Sequence, residues 1–415
     1  MFEIREKPEM VERAMLVSIY FDPSEAGEKQ AMLDELEDLV SNLGIGIAGK
    51  HLIKSRDMHA KFLCGTGKAQ EVKQLALDCR ADCVVFDNML SPSQQREWER
   101  LVDECVIDRE EVILDIFARR ARTREATLQV ELARMQYSLP RMARMWNHLD
   151  RQGGGSGGGK GGGGAARGEG EKQIEVDRRL ARARIEAIQR ELVLVTRQRA
   201  TQRKERERQA VATAAIVGYT NAGKSSLLSL VSGSEVMARD MLFATLDTTT
   251  RKIELPHGQP LLLTDTVGFI RNLPHRLVEA FKSTLEEAVL ADFLIQVVDA
   301  SDPEAVRHYE TTLEVLNELG AGDKPMIVVL NKVDLVPEER RGALETLLAP
   351  HFSGRVVPMS VKEGNGEGDL LNACVEMLES RVRRARFLIP YTRSDLVAAM
   401  HSEGKVFSTE YVEIG

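Results

Sequence analysis

The apolar and polar positions of the first 118 residues alternate between two periods. Short apolar runs predict strands at Ala14 to Tyr20 and at Ala81 to Asp87, whereas apolar residues at helical spacing predict a helix over Glu25 to Leu43 and another after Pro92. Strands that alternate with helices are typical of an α/β domain whose strands run parallel. We therefore predict an N-terminal α/β domain over residues 1–118.

Residues 211–383 repeat this alternation with strands that contain few polar residues. Phe293 to Val298 and Met326 to Leu330 are apolar almost throughout, as expected of strands that helices cover on both faces. This pattern predicts an α/β fold with a doubly wound, mostly parallel sheet. Residues 384–415 show a short strand, helix, strand pattern that is interrupted at Gly404, and we expect a small C-terminal αβ element there.

The region between these domains, residues 119–210, has a helical pattern on both sides of a glycine-rich stretch. Before that stretch, apolar residues recur at spacings of four and three, at Leu128, Leu132, Met135, Leu139, Met142, Trp146 and Leu149. After it, a matching stripe consists of Ile185, Ile188, Leu192 and Val195. Pro140 predicts a kink or a break in the first helix. Ten of the twelve residues from Gly153 to Gly164 are glycine, so we expect a helical hairpin with a mobile tip.

Charge is divided unevenly between this hairpin and the rest of the chain. The 415 residues carry a net charge of −8, but residues 119–210 carry +11 and the remainder carries −19. Such a basic segment predicts an anionic partner for the hairpin, although runs of charge also occur on faces that only meet solvent. With 43% hydrophobic residues the chain can form several packed domains, which excludes disorder throughout.

The cysteines and the first residues bear on the cellular compartment. Five cysteines are an odd number and include no Cys-x-x-Cys pair, which favours a reducing compartment. The first ten residues lack the features of a signal peptide, and no run approaches the roughly 18 apolar residues of a membrane span. We expect a cytoplasmic protein without a membrane span.

A phosphate-binding loop begins where the predicted strand Ala212 to Val217 ends. The residues from Gly218 to Ser225 read Gly-Tyr-Thr-Asn-Ala-Gly-Lys-Ser and match the full G-x-x-x-x-G-K-[ST] pattern. In such a loop, backbone N–H groups surround the phosphates, Lys224 reaches the β- and γ-oxygens, and the Ser225 hydroxyl is a ligand of Mg²⁺. The helix that starts at Ser226 points its N-terminus at the same phosphates.

Three further motifs follow predicted strands of the same domain. Asp265-Thr266-Val267-Gly268 supplies a carboxylate for Mg²⁺, directly or through water, and a glycine N–H for the γ-phosphate. Asn331-Lys332-Val333-Asp334 supplies a carboxylate that can accept hydrogen bonds from guanine N1–H and the 2-amino group. The loop Ser360-Val361-Lys362 is suited to close over the base. Because open α/β sheets bind ligands at the carboxyl ends of their strands, this order predicts a guanine-nucleotide site, and an ATP-preferring site is the main alternative.

Longer stretches outside the nucleotide loops carry a resemblance to a known family. They are Phe86-Asp-Asn-Met-Leu-Ser-Pro-Ser-Gln-Gln95, Asp108-Arg109, Ile113-Leu-Asp-Ile-Phe117, Ala121-Arg-Thr-Arg-Glu125, Gln129-Val-Glu-Leu-Ala133, Pro140-Arg141, Gln173-Ile-Glu-Val-Asp-Arg-Arg179 and Phe243-Ala-Thr-Leu-Asp247. With them, nearly the whole chain resembles the HflX family of ribosome-associated GTPases. Residues 211–383 are similar to a small GTPase domain of the translation-factor class.

The resemblance implies a switch segment formed by Phe243, Ala244, Thr245, Leu246 and Asp247. In that family the threonine at the position of Thr245 meets Mg²⁺ and the γ-phosphate. On chemical grounds alone, Thr248, Thr249 and Thr250 are alternatives.

Motifs and resemblance together give a complete set of expected site residues. The expected nucleotide contacts are Gly218, Tyr219, Thr220, Asn221, Ala222, Gly223, Lys224, Ser225, Ser226, Phe243, Ala244, Thr245, Leu246, Asp247, Asp265, Thr266, Val267, Gly268, Asn331, Lys332, Val333, Asp334, Ser360, Val361 and Lys362. The expected catalytic residues are Lys224, Thr245 and Gly268. The expected Mg²⁺ ligands are Ser225, Thr245 and Asp265.

Two residues bear on the rate of GTP hydrolysis. Phe269 follows Gly268 at the position where Ras-like enzymes place a water-orienting glutamine, so we expect slow basal turnover that a partner accelerates. Asn221 is the residue type that related GTPases use to hold K⁺ beside the phosphates. A side chain that bonds within its own loop is the equal alternative for Asn221.

The resemblance also implies a function: a GTPase that binds the large (50S) ribosomal subunit, through the rRNA and the basic hairpin, and splits or rescues stalled ribosomes. A GTP-gated module that binds RNA or a maturing subunit without splitting ribosomes is the alternative of another class. An RNA-modifying GTPase is disfavoured, because the sequence has no catalytic cysteine constellation and no second cofactor motif. We expect a monomer, since a hairpin can pair with itself.

Overall fold

The computed structural model describes residues 11–144, 175–195, 211–233, 242–243, 246, 248–256, 258–272, 282–348, 355–379, 386–403, 406 and 408–412. The chain forms two units. The first consists of Met1–Gln202, Asp240–Asp247 and Arg271–Ser283, and the second of Arg203–Arg239, Thr248–Ile270 and Thr284–Gly415. Two short segments of the stretch 211–383 therefore belong to the first unit. The predicted glycine-rich tip, residues 153–164, lies outside the described residues.

The first unit contains a parallel sheet of four strands in the order β2-β1-β3-β4. The strands are β1 (Arg13–Tyr20), β2 (Gly46–Lys54), β3 (Cys83–Phe86) and β4 (Cys105–Asp108), and the helices that follow each of them are α1 (Ala26–Asn42), α2 (Thr66–Cys79), α3 (Pro92–Val102) and α4 (Arg109–Arg120). Because every neighbouring pair of strands is parallel, each connection between them crosses over through a helix. The predicted α/β alternation with parallel strands is confirmed.

Local signals in the sequence determine where α3 and α4 begin. Pro92 is the first residue of α3, where its missing N–H costs nothing. The Ser91 side chain accepts a hydrogen bond from the Gln94 N–H at 3.2 Å, and the Gln94 side chain accepts one from the Ser91 N–H at 2.9 Å. Asp108 caps α4 by accepting a hydrogen bond from the Glu111 N–H at 3.1 Å.

The hairpin begins with α5 (Arg124–Ser138), which Thr123 caps by accepting a hydrogen bond from the Ala126 N–H. This helix ends two residues before Pro140, and the chain continues as a 3-10 helix over Leu139–Arg144. The predicted break at Pro140 is therefore confirmed. The second helix, α6, is described over residues 175–195.

Helices α5 and α6 pack against each other through the predicted apolar stripes. Leu128, Leu132 and Ile188 form a buried cluster, and Ile185 and Leu192 pack against it. A heptad stripe on each helix produces this kind of contact because residues at spacings of three and four share one face.

Two ion pairs give the direction of α6 relative to α5. Arg124 pairs with Glu191, and Arg184 pairs with Glu131 at 2.7 Å. The earlier residue of α5 pairs with the later residue of α6, and the later residue of α5 pairs with the earlier one of α6. The described parts of the two helices are therefore antiparallel.

The second unit contains a sheet of six strands in the order β10-β9-β8-β5-β7-β6. The strands are β5 (Ala212–Gly218), β6 (Thr249–Glu254), β7 (Pro260–Asp265), β8 (Phe293–Asp299), β9 (Met326–Asn331) and β10 (Val356–Pro358), and the helices are α7 (Lys224–Ser232), α8 (Lys282–Leu290), α9 (Ala305–Glu318), α10 (Glu338–Leu348) and α11 (Glu367–Glu379). Only the pairing of β6 with β7 is antiparallel among these described strands. Every residue of β9 is buried, as its apolar sequence predicts.

The C-terminal residues differ from the expected strand, helix, strand element. A 3-10 turn at Tyr391–Arg393 leads into α12 (Ser394–Glu403), but the described residues 386–390, 406 and 408–412 form no strand. In the described residues, the segments before and after α12 meet through side chains: the Tyr391 hydroxyl donates to the Val412 carbonyl, the rings of Tyr391 and Tyr411 stack, and Arg386 pairs with Glu410 at 3.7 Å. A strand requires a ladder of backbone hydrogen bonds with a neighbour, and none forms between these described segments.

None of the helices in the part of the chain that the structure describes combines the length and the apolar character needed to cross a bilayer.

Candidate nucleotide site

The loop between β5 and α7 has the backbone conformation that its glycines predict. Gly218 has a φ of +145°, and a Cβ atom there would lie 2.3 Å from the Val297 carbonyl oxygen. Gly223 has a φ of +100°, and its Cβ would lie 2.2 Å from the Asn331 side-chain nitrogen. Only glycine fits both positions without displacing β8 or β9. Asn221 lies between them in the left-handed region, with a φ of +60°, and its side chain is exposed.

Lys224 is the first residue of α7 and is only 6% exposed. Its ammonium donates a hydrogen bond to the Tyr219 carbonyl oxygen at 2.7 Å. Burial lowers the pKa of Lys224 to about 8, and the nearby Asp265 carboxylate opposes that shift. An anion in the loop would stabilise this buried ammonium strongly, so Lys224 is suited to bind a phosphate.

Ser225 and Asp265 come together from two different elements. The Ser225 hydroxyl, on α7, donates a hydrogen bond to the Asp265 carboxylate, at the end of β7, at 2.6 Å. A hydroxyl and a carboxylate are the hard oxygen donors that Mg²⁺ prefers beside phosphate groups, so this pair fits the metal. Bound there, Mg²⁺ would neutralise charge on the phosphate oxygens. The Ser225–Asp265 hydrogen bond keeps both donors at one place.

Gly268 lies against the phosphate loop. A Cβ atom on Gly268 would lie 2.9 Å from the Lys224 ammonium nitrogen and 2.9 Å from the Thr220 methyl carbon. Two backbone hydrogen bonds maintain this approach: the Thr220 N–H donates to the Phe269 carbonyl oxygen at 2.8 Å, and the Phe269 N–H donates to the Gly218 carbonyl oxygen at 3.1 Å. The segment that follows β7 is therefore attached directly to the predicted phosphate-binding loop.

Residues on either side of Gly268 contribute their side chains to the core. The Thr266 hydroxyl donates to the Ile216 carbonyl oxygen at 2.7 Å, and Val267 and Phe269 are buried. The buried Phe269 ring, 1% exposed, has no polar group with which to orient a water. Any nucleotide contact by Thr266 or Val267 is left to the backbone.

Asn331 connects the phosphate loop to the loop after β10. Its side-chain nitrogen donates to the Ala222 carbonyl oxygen at 2.8 Å, and its side-chain oxygen accepts from the Val361 N–H at 3.1 Å. Asn331 is 3% exposed, so both bonds are shielded from water. Asn331 thus joins the loop that the sequence predicts to bind the phosphates to the loop that it predicts to close over the base.

The other residues predicted to contact the base follow the parallel strands β9 and β10, at the same end of the sheet. Ser360 is buried, and its hydroxyl accepts a hydrogen bond from the Glu363 N–H, which shapes the loop that includes Lys362. Asp334 lies in a 3-10 turn over Val333–Leu335 and is exposed, so its carboxylate is accessible to a base.

Asp299 is a partner of a predicted site residue that the sequence reasoning missed. Its carboxylate pairs with the Lys332 ammonium at 2.6 Å. Lys332 has a φ of +63°, and its side chain leaves the chain beside the end of β8, where Asp299 is the last strand residue. The signal was available, because Asp299 follows a buried strand at the same edge as Asp265 and Asn331.

The ring of Tyr219 also has a partner that the sequence reasoning missed. It stacks on the His308 imidazole of α9, with centroids 3.7 Å apart and planes at 7°. His308 Nδ1 lies 3.6 Å from an Asp302 carboxylate oxygen. The Tyr219 ring thus fixes the outside of the phosphate loop to α9.

Of the switch segment, only Phe243 and Leu246 are described, and both are buried within the first unit. The Phe243 ring packs on Phe117 of α4 with centroids 4.7 Å apart. Ala244, Thr245 and Asp247 lie outside the described residues. The role of Thr245 in holding Mg²⁺ therefore stays a prediction.

Family comparisons match consecutive parts of the chain. Residues 30–118 match a family described as GTP-binding GTPase N-terminal, and residues 120–206 match one described as GTP-binding GTPase Middle Region. Residues 213–332 match a family described as 50S ribosome-binding GTPase.

Individual proteins are similar over most or all of the chain. A GTPase HflX from Lacrimispora saccharolytica is 41% identical over 416 positions, which cover 100% of this chain and 94% of that protein. The GTPase HflX of Escherichia coli is 42% identical over 91% of this chain and 86% of its own length. Among solved structures, a GTP-binding protein of Sulfolobus solfataricus in complex with GDP has 23% identity and a TM-score of 0.45, over 89% of this chain and 100% of that one.

Proposed function

Because the chain belongs to the GTPase HflX family and is a GTP-binding GTPase, we propose that it associates with the large ribosomal subunit through its basic hairpin and splits or rescues stalled ribosomes. In this proposal the GTP form binds the subunit more tightly than the GDP form, and hydrolysis permits release. The description of the matched family for residues 213–332 names the 50S ribosome as the binding partner, which supports the choice of subunit.

The observation that carries the proposal is a row of arginines on α6. Arg179, Arg182 and Arg190 are exposed, while the opposite face of the helix packs on α5 through Ile188. A pair of helices is narrow enough to enter the grooves of folded RNA, where a compact protein surface does not fit. Its guanidinium groups can then contact the RNA phosphates. The described part of the hairpin therefore has an apolar inner face that stabilises it and exposed arginines that can meet an anionic partner.

The C-terminal end of α5 and the 3-10 turn after it are joined to the N-terminal sheet by a buried polar network. The Tyr137 hydroxyl donates to an Asp108 carboxylate oxygen at 3.1 Å, and the Arg141 guanidinium donates to the Gln95 side chain at 2.9 Å and to the Leu90 carbonyl at 2.7 Å. Burial raises the pKa of Asp108, and hydrogen bonds from the Leu90 N–H and the charge of Arg141 oppose that shift. A network of satisfied buried groups resists bending, which supports a hairpin that transmits force.

The switch segment supports a link between nucleotide state and hairpin. Within the first unit, Phe243 packs on Phe117, and the Asn42 side chain donates to the Leu242 carbonyl oxygen at 3.4 Å. The helix α4 that carries Phe117 leads directly into α5. A change in the switch segment on GTP binding would thus act on the helix next to the hairpin.

Slow basal hydrolysis is part of the proposal. The buried Phe269 ring takes the place of a water-orienting side chain, so acceleration must come from the ribosome. The exposed amide of Asn221, at the turn of the phosphate loop, supports a K⁺ ion as an additional source of charge compensation.

Light scattering and gradient sedimentation of intact ribosomes test the proposal. With a non-hydrolysable GTP analogue, the protein should convert ribosomes into subunits, and the Arg179→Glu/Arg182→Glu variant should lose this activity. The matched control, Arg386→Glu/Arg393→Glu, makes the same change in charge on exposed residues of the C-terminal segment and should act like the wild type. Binding of the wild type without dissociation would instead support a GTP-gated binding module.

A deletion separates the hairpin tip from the nucleotide site. Removal of Gly153 to Gly164 should weaken splitting more than GDP affinity, since the nucleotide loops lie in other parts of the sequence. Equal losses of splitting and of GDP affinity would argue against a role for the tip.

A further inference from the structure

The end of the phosphate loop that faces Gly268 contains a buried hydroxyl. Thr220 is 7% exposed, and among the described residues its hydroxyl oxygen is buried without a hydrogen-bond partner. Burial of a hydroxyl costs free energy unless a partner is supplied, so such groups are uncommon in folded proteins. Where one persists beside a ligand site, the ligand is the natural partner.

The neighbours of Thr220 are two residues that the sequence predicts to contact the phosphates, Gly268 and Lys224. A Cβ atom on Gly268 would lie 2.9 Å from the Thr220 methyl carbon, 3.0 Å from its Cα and 2.9 Å from the Lys224 ammonium nitrogen. Thr220 and the Lys224 ammonium therefore both lie directly against Gly268. A glycine N–H and a lysine ammonium at the end of a phosphate loop are the groups that meet a terminal phosphate.

Three other side chains near Gly268 are either apolar or already engaged in a hydrogen bond within the protein. Phe269, next to Gly268, is buried in the core. The hydroxyl of Thr266 donates to the Ile216 carbonyl oxygen, and that of Ser225 donates to Asp265. Among these three neighbours of the loop, none offers a hydroxyl to a third phosphate.

We infer that the Thr220 hydroxyl donates a hydrogen bond to an oxygen of the γ-phosphate, and that this contact helps the protein to distinguish GTP from GDP. GDP has no atom at that place, so the contact contributes only to the triphosphate complex. The backbone of Thr220 is fixed by its N–H bond to the Phe269 carbonyl, which places the side chain before the nucleotide arrives. The inference rests on the GTPase activity of the family and is independent of any action on ribosomes.

The test compares two nucleotides on the full-length protein with Mg²⁺ present. Dissociation constants for GDP and for a non-hydrolysable GTP analogue are measured by calorimetry for the wild type, Thr220→Val and Thr220→Ser. Valine keeps the shape without the hydroxyl, so the analogue should bind about tenfold more weakly, as expected for loss of a hydrogen bond to a charged group, while GDP affinity stays within about twofold. Serine keeps the hydroxyl, so the affinity of Thr220→Ser for the analogue should be close to that of the wild type.

Thr312→Val is the matched control. Thr312 is also buried in the second unit, but its hydroxyl donates to the His308 carbonyl oxygen of its own helix at 2.9 Å. This variant should leave the ratio of the two dissociation constants unchanged. GDP binding reports whether each variant is folded, and Thr220→Ala replaces Thr220→Val if the latter does not bind GDP.

Two results would overturn the inference. An unchanged ratio in Thr220→Val would mean that the hydroxyl makes no contact with the third phosphate. Equal weakening of GDP and analogue would mean that Thr220 only supports the shape of the loop.

Discussion

Phe117 of α4 and Phe243 of the switch segment pack edge to face, with ring centroids 4.7 Å apart and planes at 76°. Both rings are buried, with exposures of 1% and 2%. Phe243 has a φ of +52°, which is unfavourable for a residue with a Cβ atom. The burial of its ring against Phe117 compensates for that conformation, so the aromatic pair helps to hold the switch segment in this position.

Phe117→Leu should weaken this contact while keeping the site apolar. We expect a loss of about 1 kcal/mol in stability, typical of an aromatic pair, and a reduced acceleration of GTP hydrolysis by ribosomes. Phe62→Leu is the control, because Phe62 makes an edge-to-face pair with Trp98, at 5.1 Å, in the same unit. Chemical denaturation and hydrolysis assays check both variants. If ribosomes stimulate GTP hydrolysis equally in the two variants, the contact between Phe117 and Phe243 has no role in that stimulation.

Asp265→Asn should remove one of the two oxygen donors that fit Mg²⁺. The amide is neutral, so it compensates the metal charge less well, and we expect kcat for GTP hydrolysis to fall about 10²-fold or more. The Ser225 hydroxyl would also lose its charge-assisted hydrogen bond of 2.6 Å. Asp369→Asn changes an exposed acid on α11 and should leave kcat unaltered. Hydrolysis is measured across a Mg²⁺ titration, in which an unchanged Asp265→Asn profile would contradict the assignment.

Lys224 makes nucleotide affinity depend on pH. Without nucleotide its pKa is lowered to about 8 by burial, whereas bound phosphate favours the ammonium, so binding takes up a proton above pH 8. The dissociation constant of GDP should be nearly constant below that pH and rise about tenfold per pH unit above it. Lys224→Arg stays charged throughout, so any slope that remains in this variant belongs to the nucleotide itself. Calorimetry in buffers of different ionisation enthalpy detects the proton uptake.

The same residue affects stability in the opposite direction. The pKa of Lys224 in the folded protein, about 8, lies below its ordinary value of 10.5. Between these values the unfolded chain binds more protons, so the stability of the nucleotide-free protein that depends on Lys224 should rise with pH over this window. Denaturation at pH 8 and pH 10, compared with Lys224→Arg, tests the sign. A Lys224-dependent decrease in stability over this range would contradict it.

Asp299→Asn should free the Lys332 side chain from its ion pair. The pair is partly exposed, so we expect a contribution of about 0.5–1 kcal/mol and a loss of about two- to fivefold in GDP affinity, because Lys332 can then leave the base site. Glu376→Gln, which breaks the exposed pair with Arg355 on the same unit, is the control. The affinity is measured by fluorescence titration. An unchanged affinity in Asp299→Asn would show that the pair does not position Lys332.

The predictions agree with the structure where the interactions that form an element are made between residues close together in the sequence. The helix that starts at Pro92, the break at Pro140 and the glycines of the phosphate loop depend on near neighbours or on backbone conformation. The strands expected on either side of α12 did not form in the described residues, because a strand needs a partner from elsewhere in the chain and an apolar run does not supply one.

The sequence by itself determined the alternation of helices and strands in the two α/β regions, the antiparallel hairpin with its separate basic charge, and the order of the motif loops that follow the strands. Those features come from periodicity, residue type and spacing, which are properties of short segments. Only the tertiary structure decided that Asp299 pairs with Lys332, that Tyr219 stacks on His308, that Phe243 packs on Phe117 and that the Thr220 hydroxyl is buried beside Gly268. These are contacts between segments distant in sequence, and their partners are chosen by how the chain packs, which no local pattern encodes.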